Sequence, residues 1–306
     1  MGHETIKKLL EKYNVEPNKV LGQNFLNEPN AVHALIKTAE VSKEDTVIEV
    51  GPGTGAITKE LAKKAGQVIA VEKDENMVEI LKHEIRGFEN IQIVEGDILK
   101  FEITKIQETQ PDIARRSRGG QARNKQISNH NNQAKENPKG YDLKLDTYKL
   151  VGAPPYYLTA RLFRTFLEQA NLKPVSITVI IQKEVAEKIC AKPPRMNLLA
   201  VSVQLYGEAK IIEKVPKEFF WPRPKVDSAI LTVQNIKKPG VDETKFFKVL
   251  QAGFSAPRKQ LAGNLSRVLS IERDKVEKIL KECGIKPEQR AETLSVDDWK
   301  KLTLKF

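Results

Sequence analysis

Thr46-Val47-Ile48-Glu49-Val50-Gly51-Pro52-Gly53-Thr54-Gly55 is a short β-branched run that ends in an acid and breaks into a glycine-rich turn. From Ile57 to Lys64 the apolar residues then recur at helical spacing. Such a turn, between the C-terminal end of a strand and the N-terminus of a helix, lets a ligand approach the backbone closely beside the helix's partial positive charge. A dinucleotide-binding turn is ordered G-x-G-x-x-G, whereas the order here is G-x-G-x-G. The turn by itself marks a nucleotide-like ligand.

On either side of this turn the pattern alternates. Strand-like runs at Gln67–Val71, Ile91–Val94, Lys149–Gly152 and Val175–Gln182 are separated by helical runs at Glu75–Arg86 and Thr159–Gln169, with another helix at Glu184–Cys190. That alternation predicts an α/β fold: a Rossmann-like parallel sheet with helices on both faces and right-handed crossovers. Helical patterns at Glu4–Val15 and Pro29–Glu40 precede it, and Leu199–Leu205, Lys210–Val215 and Ser228–Gln234 read as further β-rich runs. Lys237-Lys238-Pro239-Gly240 marks a boundary. Residues 1–238 form the ligand-binding domain, and 239–306 a small helical domain with helices at Thr244–Gly253, Lys259–Leu269, Arg273–Cys283 and Val296–Leu302.

Composition narrows the class. In 306 residues no stretch approaches the roughly 20 apolar residues of a membrane span, and the N-terminus carries no apolar signal core. Cys190 and Cys283 form no C-x-x-C pattern, and the four histidines have no metal-ligand spacing. The expectation is a cytoplasmic, metal-free protein. A net charge of +11 points to a polyanion, with nucleic acid the first candidate. Within 111–140 lie Arg115, Arg116, Arg118 and Arg123 among Gly, Asn, Gln and Ser, with too few apolar residues to offset ordering entropy. This basic insert reads as a disordered loop, which either grips RNA phosphates through charge or is passive.

Acids stand at successive strand ends. Glu72 closes the second strand, where a ribose-binding carboxylate is expected, and Asp97 follows the third. Glu72 can accept from ribose hydroxyls and Asp97 from an exocyclic adenine amine, with Glu49 nearest the remaining part of the ligand. Taken with the glycine turn, the pattern resembles the class I S-adenosylmethionine-dependent methyltransferases, which implies S-adenosyl-L-methionine as cofactor and places Glu49 at its methionine end.

After the fourth strand comes Gly152-Ala153-Pro154-Pro155-Tyr156-Tyr157. Its stiff proline pair fixes a backbone carbonyl beside an aromatic ring. The form matches the N-[L/I/P]-P-[Y/F] motif of amino-group methyltransferases, in which an Asn side chain and the next carbonyl accept from an adenine amine while the ring stacks on the base. Such acceptors draw the amine's lone pair out of the ring system, so positioning and preorganised acceptors carry most of the rate. Here the Asn position holds Ala153. Pro154 and Tyr156 keep the carbonyl and the ring, but loss of one preorganised hydrogen bond costs on the order of a hundredfold in rate.

Further segments extend the resemblance: Leu21-Gly22-Gln23-Asn24-Phe25-Leu26, Ile181-Gln182-Lys183-Glu184, Phe220-Trp221-Pro222-Arg223-Pro224-Lys225-Val226-Asp227-Ser228, and Phe254 to Leu265. In this order they resemble the ribosomal-RNA adenine N6,N6-dimethyltransferase family of the KsgA type over the whole chain except the basic insert. The resemblance implies dimethylation of two adjacent adenosines near the 3′ end of small-subunit rRNA, a part in assembly of the 30S-type particle, and a monomer. It implies that Gln23, Asn24 and Leu26 close over the methionine end, that Gly51, Gly53 and Gly55 cradle the cofactor, and that Ile98 borders its adenine. Ala153, Pro154, Pro155 and Tyr156 make the reactive edge. In the helical domain Arg258, Lys259 and Arg267, with Asn264, form a candidate phosphate-contacting face; Phe246, Phe247, Leu250 and Phe254 read as core. Two alternatives stay open: an RNA-binding assembly factor that Ala153 leaves weak or inactive, and a large-subunit rRNA methyltransferase of the erythromycin-resistance type.

Overall fold

The computed structural model describes residues 3–18, 20–105, 135–137 and 140–306. Five strands run parallel at its centre: β2 (Thr46–Val50), β3 (Gln67–Glu72), β4 (Ile91–Glu95), β8 (Lys149–Gly152) and β9 (Ser176–Gln182). To β9 is added β12 (Ser228–Gln234), antiparallel, and to β12 is added β10 (Glu208–Val215), also antiparallel. The order is β10-β12-β9-β8-β2-β3-β4. The parallel strands are nearly continuous apolar runs because both of their faces are covered.

One face carries α2 (Pro29–Ala39), α3 (Ala56–Lys64) and α4 (Glu75–Glu84), packed on Val47, Val68, Ala70 and Ile180. The other carries α5 (Thr159–Phe163), which continues as a π-helix over Arg164–Gln169, together with α6 (Lys183–Ile189) and α7 (Leu198–Gln204). The four C-terminal helices, α8 (Glu243–Gly253), α9 (Leu261–Leu269), α10 (Arg273–Glu282) and α11 (Val296–Lys305), enclose Phe246, Leu250 and the fully buried Trp299. Their apolar interior is continuous with that second face. A helix α1 (His3–Lys12) packs through Ile6 and Leu10 on Met77 and Ile80 of α4. Among the described residues no helix is long and apolar enough to cross a membrane.

From β2 the chain winds outward through β3 to β4, then returns to β8 on the other side of β2. The order therefore reverses at β2 and β8, and a doubly wound sheet binds its ligand beyond the strand ends at such a reversal.

The structure corrects several boundaries and one element type. Leu199–Leu205, expected to be β-rich, lies in α7: Asn197 caps that helix by accepting from the Ala200 N–H at 2.9 Å, and Ala200, Val201 and Val203 bury one face. The helix expected from Lys259 begins at Leu261, so Arg258 and Lys259 are exposed residues of the preceding turn. The end of the segment expected to be a structureless insert is partly ordered: β6 (Lys135–Asn137) pairs antiparallel with β7 (Gly140–Leu145), which pairs with β5 (Phe101–Lys105). Arg115, Arg116, Arg118 and Arg123 lie outside the described residues.

Candidate active site

A cleft opens at the reversal point, where the glycine turn, Leu21–Phe25 and the segment that follows β8 face one another. Of the residues singled out from sequence, Gln23, Asn24, Gly51, Gly53, Glu72, Asp97, Ile98, Ala153, Pro154, Pro155 and Tyr156 line it. Leu26, Glu49 and Gly55 do not. Leu26 packs into the core around α2, and Gly55 caps α3 at φ 80°, where a side chain would strike Leu81 at 2.9 Å.

The glycine turn builds one wall. Gly51 and Gly53 have φ of 66° and 52°, a region side chains disfavour, and a Cβ on Gly53 would lie 3.0 Å from the Phe25 ring. Gly53 donates its N–H to Glu72 Oε2 at 3.1 Å, while Glu72 Oε1 accepts from the N–H groups of Lys73 at 2.8 Å and Asp74 at 3.0 Å. Three of a carboxylate's roughly four acceptor positions are thus filled, leaving Oε2 free for one further donor. Burial raises the Glu72 pKa, against the lowering effect of these backbone donors. Asp97 turns the chain after β4 by accepting from the Leu99 N–H, and its Oδ2 is paired with Lys73 Nζ at 3.2 Å at the exposed edge of the cleft.

The segment Leu21–Leu26 forms the opposite wall as a strap held at three points. Phe25 and Leu26 (β1) pair antiparallel with Trp221 and Phe220 of β11 (Phe220–Trp221), so two of the sequence segments meet as one ribbon. Gln23 Nε2 donates to Asp74 Oδ2 at 2.6 Å, and Gln23 Oε1 accepts from the Asn18 N–H at 2.7 Å. Asn24 Nδ2 donates to Gly22 O at 3.0 Å. Asp74 also caps α4 through Oδ1, so one carboxylate fixes both a helix and the strap.

The end of the cleft that holds Ala153 and Pro154 is set by β8. Gly152 lies so close to β2 that a Cβ there would stand 2.5 Å from Val50 O, which delivers Ala153 and Pro154 into the cleft next to the glycine turn. Tyr156 is half-buried, and its hydroxyl lies 2.7 Å from Oγ of the fully buried Ser228. Burial raises the phenol pKa, Ser228 lowers it and Asp227 raises it. Asp227 itself accepts from the Lys217 N–H and pairs with Lys214 at 2.9 Å, and its carbonyl accepts from the Lys183 N–H. The Asp-Ser pair therefore secures the start of β12 and the ring of Tyr156 together. Sequence reading left Ile180 and Met77 as core residues of their runs and quoted Phe220 and Tyr157 in motifs without giving them a place in the cleft.

Asn264 has a structural part. It is buried, and its Nδ2 donates to the carbonyls of Gly253 at 2.8 Å and Ala256 at 2.9 Å, bracing the turn that exposes Arg258 and Lys259. It is not on a phosphate-contacting face.

A sheet that reverses order beside a glycine turn, with acids at successive strand ends and a proline-tyrosine edge, defines a class I methyltransferase. Residues 14–305 match the family described as ribosomal RNA adenine dimethylase, and the chain belongs to it. A protein from Dehalococcoides mccartyi named ribosomal RNA small subunit methyltransferase A is 40% identical over 98% of this chain and 92% of its own. One of the same name from Clostridium botulinum is 35% identical over 97% and 96%. Among solved structures, a dimethyladenosine transferase from Plasmodium falciparum shares the fold with TM-score 0.68 at 21% identity, covering 92% of this chain and 97% of that one. The 23S rRNA methyltransferase ErmE does so with TM-score 0.65 at 24% identity, covering 92% and 99%.

Proposed function

We propose that the protein transfers methyl groups from S-adenosylmethionine to N6 of two adjacent adenosines near the 3′ end of small-subunit rRNA, within the assembling small subunit. The observation that carries this reading is convergence: stretches far apart in sequence, from Leu21 to Phe220, meet around one cleft. The names of relatives at 35–40% identity over nearly the full length support the same substrate.

The cleft suits the cofactor. Two glycines leave room a Cβ would fill, Glu72 retains one acceptor position, and Asp97 keeps an oxygen that only an exposed lysine engages. When bound, S-adenosylmethionine supplies a methyl group on a positively charged sulfur. Glu72 would hold its ribose, Asp97 and Ile98 would border its adenine, and Gln23 and Asn24 would cover its methionine end. For the target base, the Pro154 carbonyl accepts one N–H of the amine and the Tyr156 ring lies against the purine. Proton loss follows to water, and no strong base is needed. RNA is held outside the cleft by the exposed Arg258 and Lys259.

Ala153 favours a second reading, an assembly factor that binds cofactor and rRNA but methylates slowly, because its side chain accepts nothing. A methyl-transfer assay on unmethylated small subunits, with mass spectrometry of the two adenosines, tests both. Comparable rates for the parent and Ala153→Asn support the enzyme. A silent parent and a variant gaining about a hundredfold support the assembly factor. Absence of methyl transfer and of RNA binding in both would sink the proposal.

A further inference from the structure

The two tyrosines of Pro154-Pro155-Tyr156-Tyr157 part company in the fold. Tyr156 points its hydroxyl inward to Ser228, while Tyr157 is 51% exposed at the rim of the same cleft. It is the only aromatic among the large apolar side chains exposed in the described residues. Its ring makes no stacking contact with any other described aromatic.

The exposed ring lies beside the strap at Gly22. One edge, Cδ1 and Cε1, lies 3.4 and 3.5 Å from where a Cβ of Gly22 would stand, and Gly22 is kept free of a side chain by its φ of 65°. Pro155 Cβ lies 3.5 Å from the same point. The turn that carries it is closed by the Leu158 N–H donating to Pro155 O at 2.9 Å and by the Thr159 hydroxyl donating to Tyr156 O at 3.1 Å. The fold leaves this aromatic half-bare at the mouth of the cleft read as a purine site. The chain's charge of +11 and the cleft's reading both supply a partner with flat apolar faces, a single-stranded nucleic acid.

Resting on the proposed function, we propose that Tyr157 is the binding platform for a second nucleobase: the base flanking the adenosine that enters the cleft stacks on its ring. Stacking recognises any base, so Tyr157 adds affinity and holds the strand in register without choosing sequence. Because the contact is with a base and not a phosphate, it leaves the salt dependence of binding unchanged.

The test uses the full chain and two hairpin RNAs whose pyrimidine loops carry one adenosine, flanked on its 5′ or its 3′ side by 2-aminopurine. The parent is expected to quench the probe in one of the two RNAs. Tyr157→Phe should keep that quench and its affinity, whereas Tyr157→Ala should lose it and bind about tenfold more weakly, with an unchanged salt slope. Calorimetry with S-adenosylhomocysteine is expected to give the same affinity for the parent and Tyr157→Phe, which keeps the ring beside the strap. Equal quenching by the parent and Tyr157→Ala overturns the assignment, as does a Tyr157→Ala variant that loses S-adenosylhomocysteine affinity but keeps its RNA affinity, since Tyr157 would then merely prop the strap through Gly22. A parent that binds neither RNA, yet binds S-adenosylhomocysteine, overturns the rRNA reading of the site itself.

Discussion

Glu49 sits in the middle of the sheet with no measurable exposure, and neither of its carboxylate oxygens makes a hydrogen bond. Thr58 offers the nearest hydroxyl and lowers the carboxyl's pKa somewhat, but its oxygen too is without a well-formed bond. Burial dominates and, with a smaller push from the Glu72 charge, raises the group from 4.5 to about 8. The unfolded chain releases this proton near 4.5 and the folded protein keeps it to about 8, so the folded state binds more protons between those values. Stability from this group is therefore full below the lower value, falls as pH rises through the interval, and is flat above it. Each pH unit is worth about 1.4 kcal/mol, so at pH 7 the loss is about 3 kcal/mol. Glu49→Gln keeps the shape and removes the titration. Urea midpoints at pH 5, 6, 7 and 8, compared at constant m-value, should show the parent losing ground to the variant steadily across that range. Parallel pH profiles, or a variant that falls further behind as pH rises, would mean that Glu49 is ionised and partnered, and would refute the argument.

Other expectations follow from the hydrogen bonds around the cleft. Ser228→Ala and Tyr156→Phe should each slow methyl transfer by about fivefold, from loss of one hydroxyl pair worth about 1 kcal/mol, and the double variant should be no slower than either single one; additive losses would show that Ser228 does not act through the ring. Asp74→Asn keeps a good helix cap but removes the charged acceptor of Gln23, so S-adenosylhomocysteine should bind about tenfold more weakly, as it should to Gln23→Ala, while an unchanged affinity in both would separate the strap from the cofactor. Asn264→Leu strands the Gly253 and Ala256 carbonyls and should lower stability by about 2 kcal/mol or more, with RNA affinity kept where the variant is folded; loss of RNA affinity without loss of stability would return Asn264 to the binding face.

The central sheet was legible because its strands are short apolar runs bounded by turns, and Thr46–Val50 and Lys149–Gly152 come out with the boundaries read from sequence. The glycine-turn wall of the cleft was legible for a different reason. Glycines, Glu72 and Asp97 are residue types that local backbone geometry and solvation rarely place together at strand ends by chance, and they do line one cleft. Leu199–Leu205 was misread because Leu-Leu-Ala-Val-Ser-Val-Gln has no strong period, and a single capping bond from Asn197 decided its fate. Asn264 was misread because a polar residue between basic ones looks like surface, whereas the backbone carbonyls it satisfies are eleven and eight positions away in sequence.

What no local pattern could supply is pairing across the chain. Phe25-Leu26 and Phe220-Trp221 are each only two residues of strand, too short to hold as isolated elements, and they exist because they pair with each other. The same holds for Ser228, an ordinary strand residue until Tyr156 meets it 72 positions away. The long-range contacts gather on the half of the cleft around Ala153–Tyr157, while the half at the glycine turn is built mostly from one continuous stretch, Val50 to Ile98. A substitution in the former half, such as the alanine at position 153, therefore leaves the glycine-turn wall's own bonds untouched. Binding of S-adenosylhomocysteine can stay intact while methyl transfer changes by orders of magnitude, which is why cofactor affinity and turnover have to be measured separately in this protein.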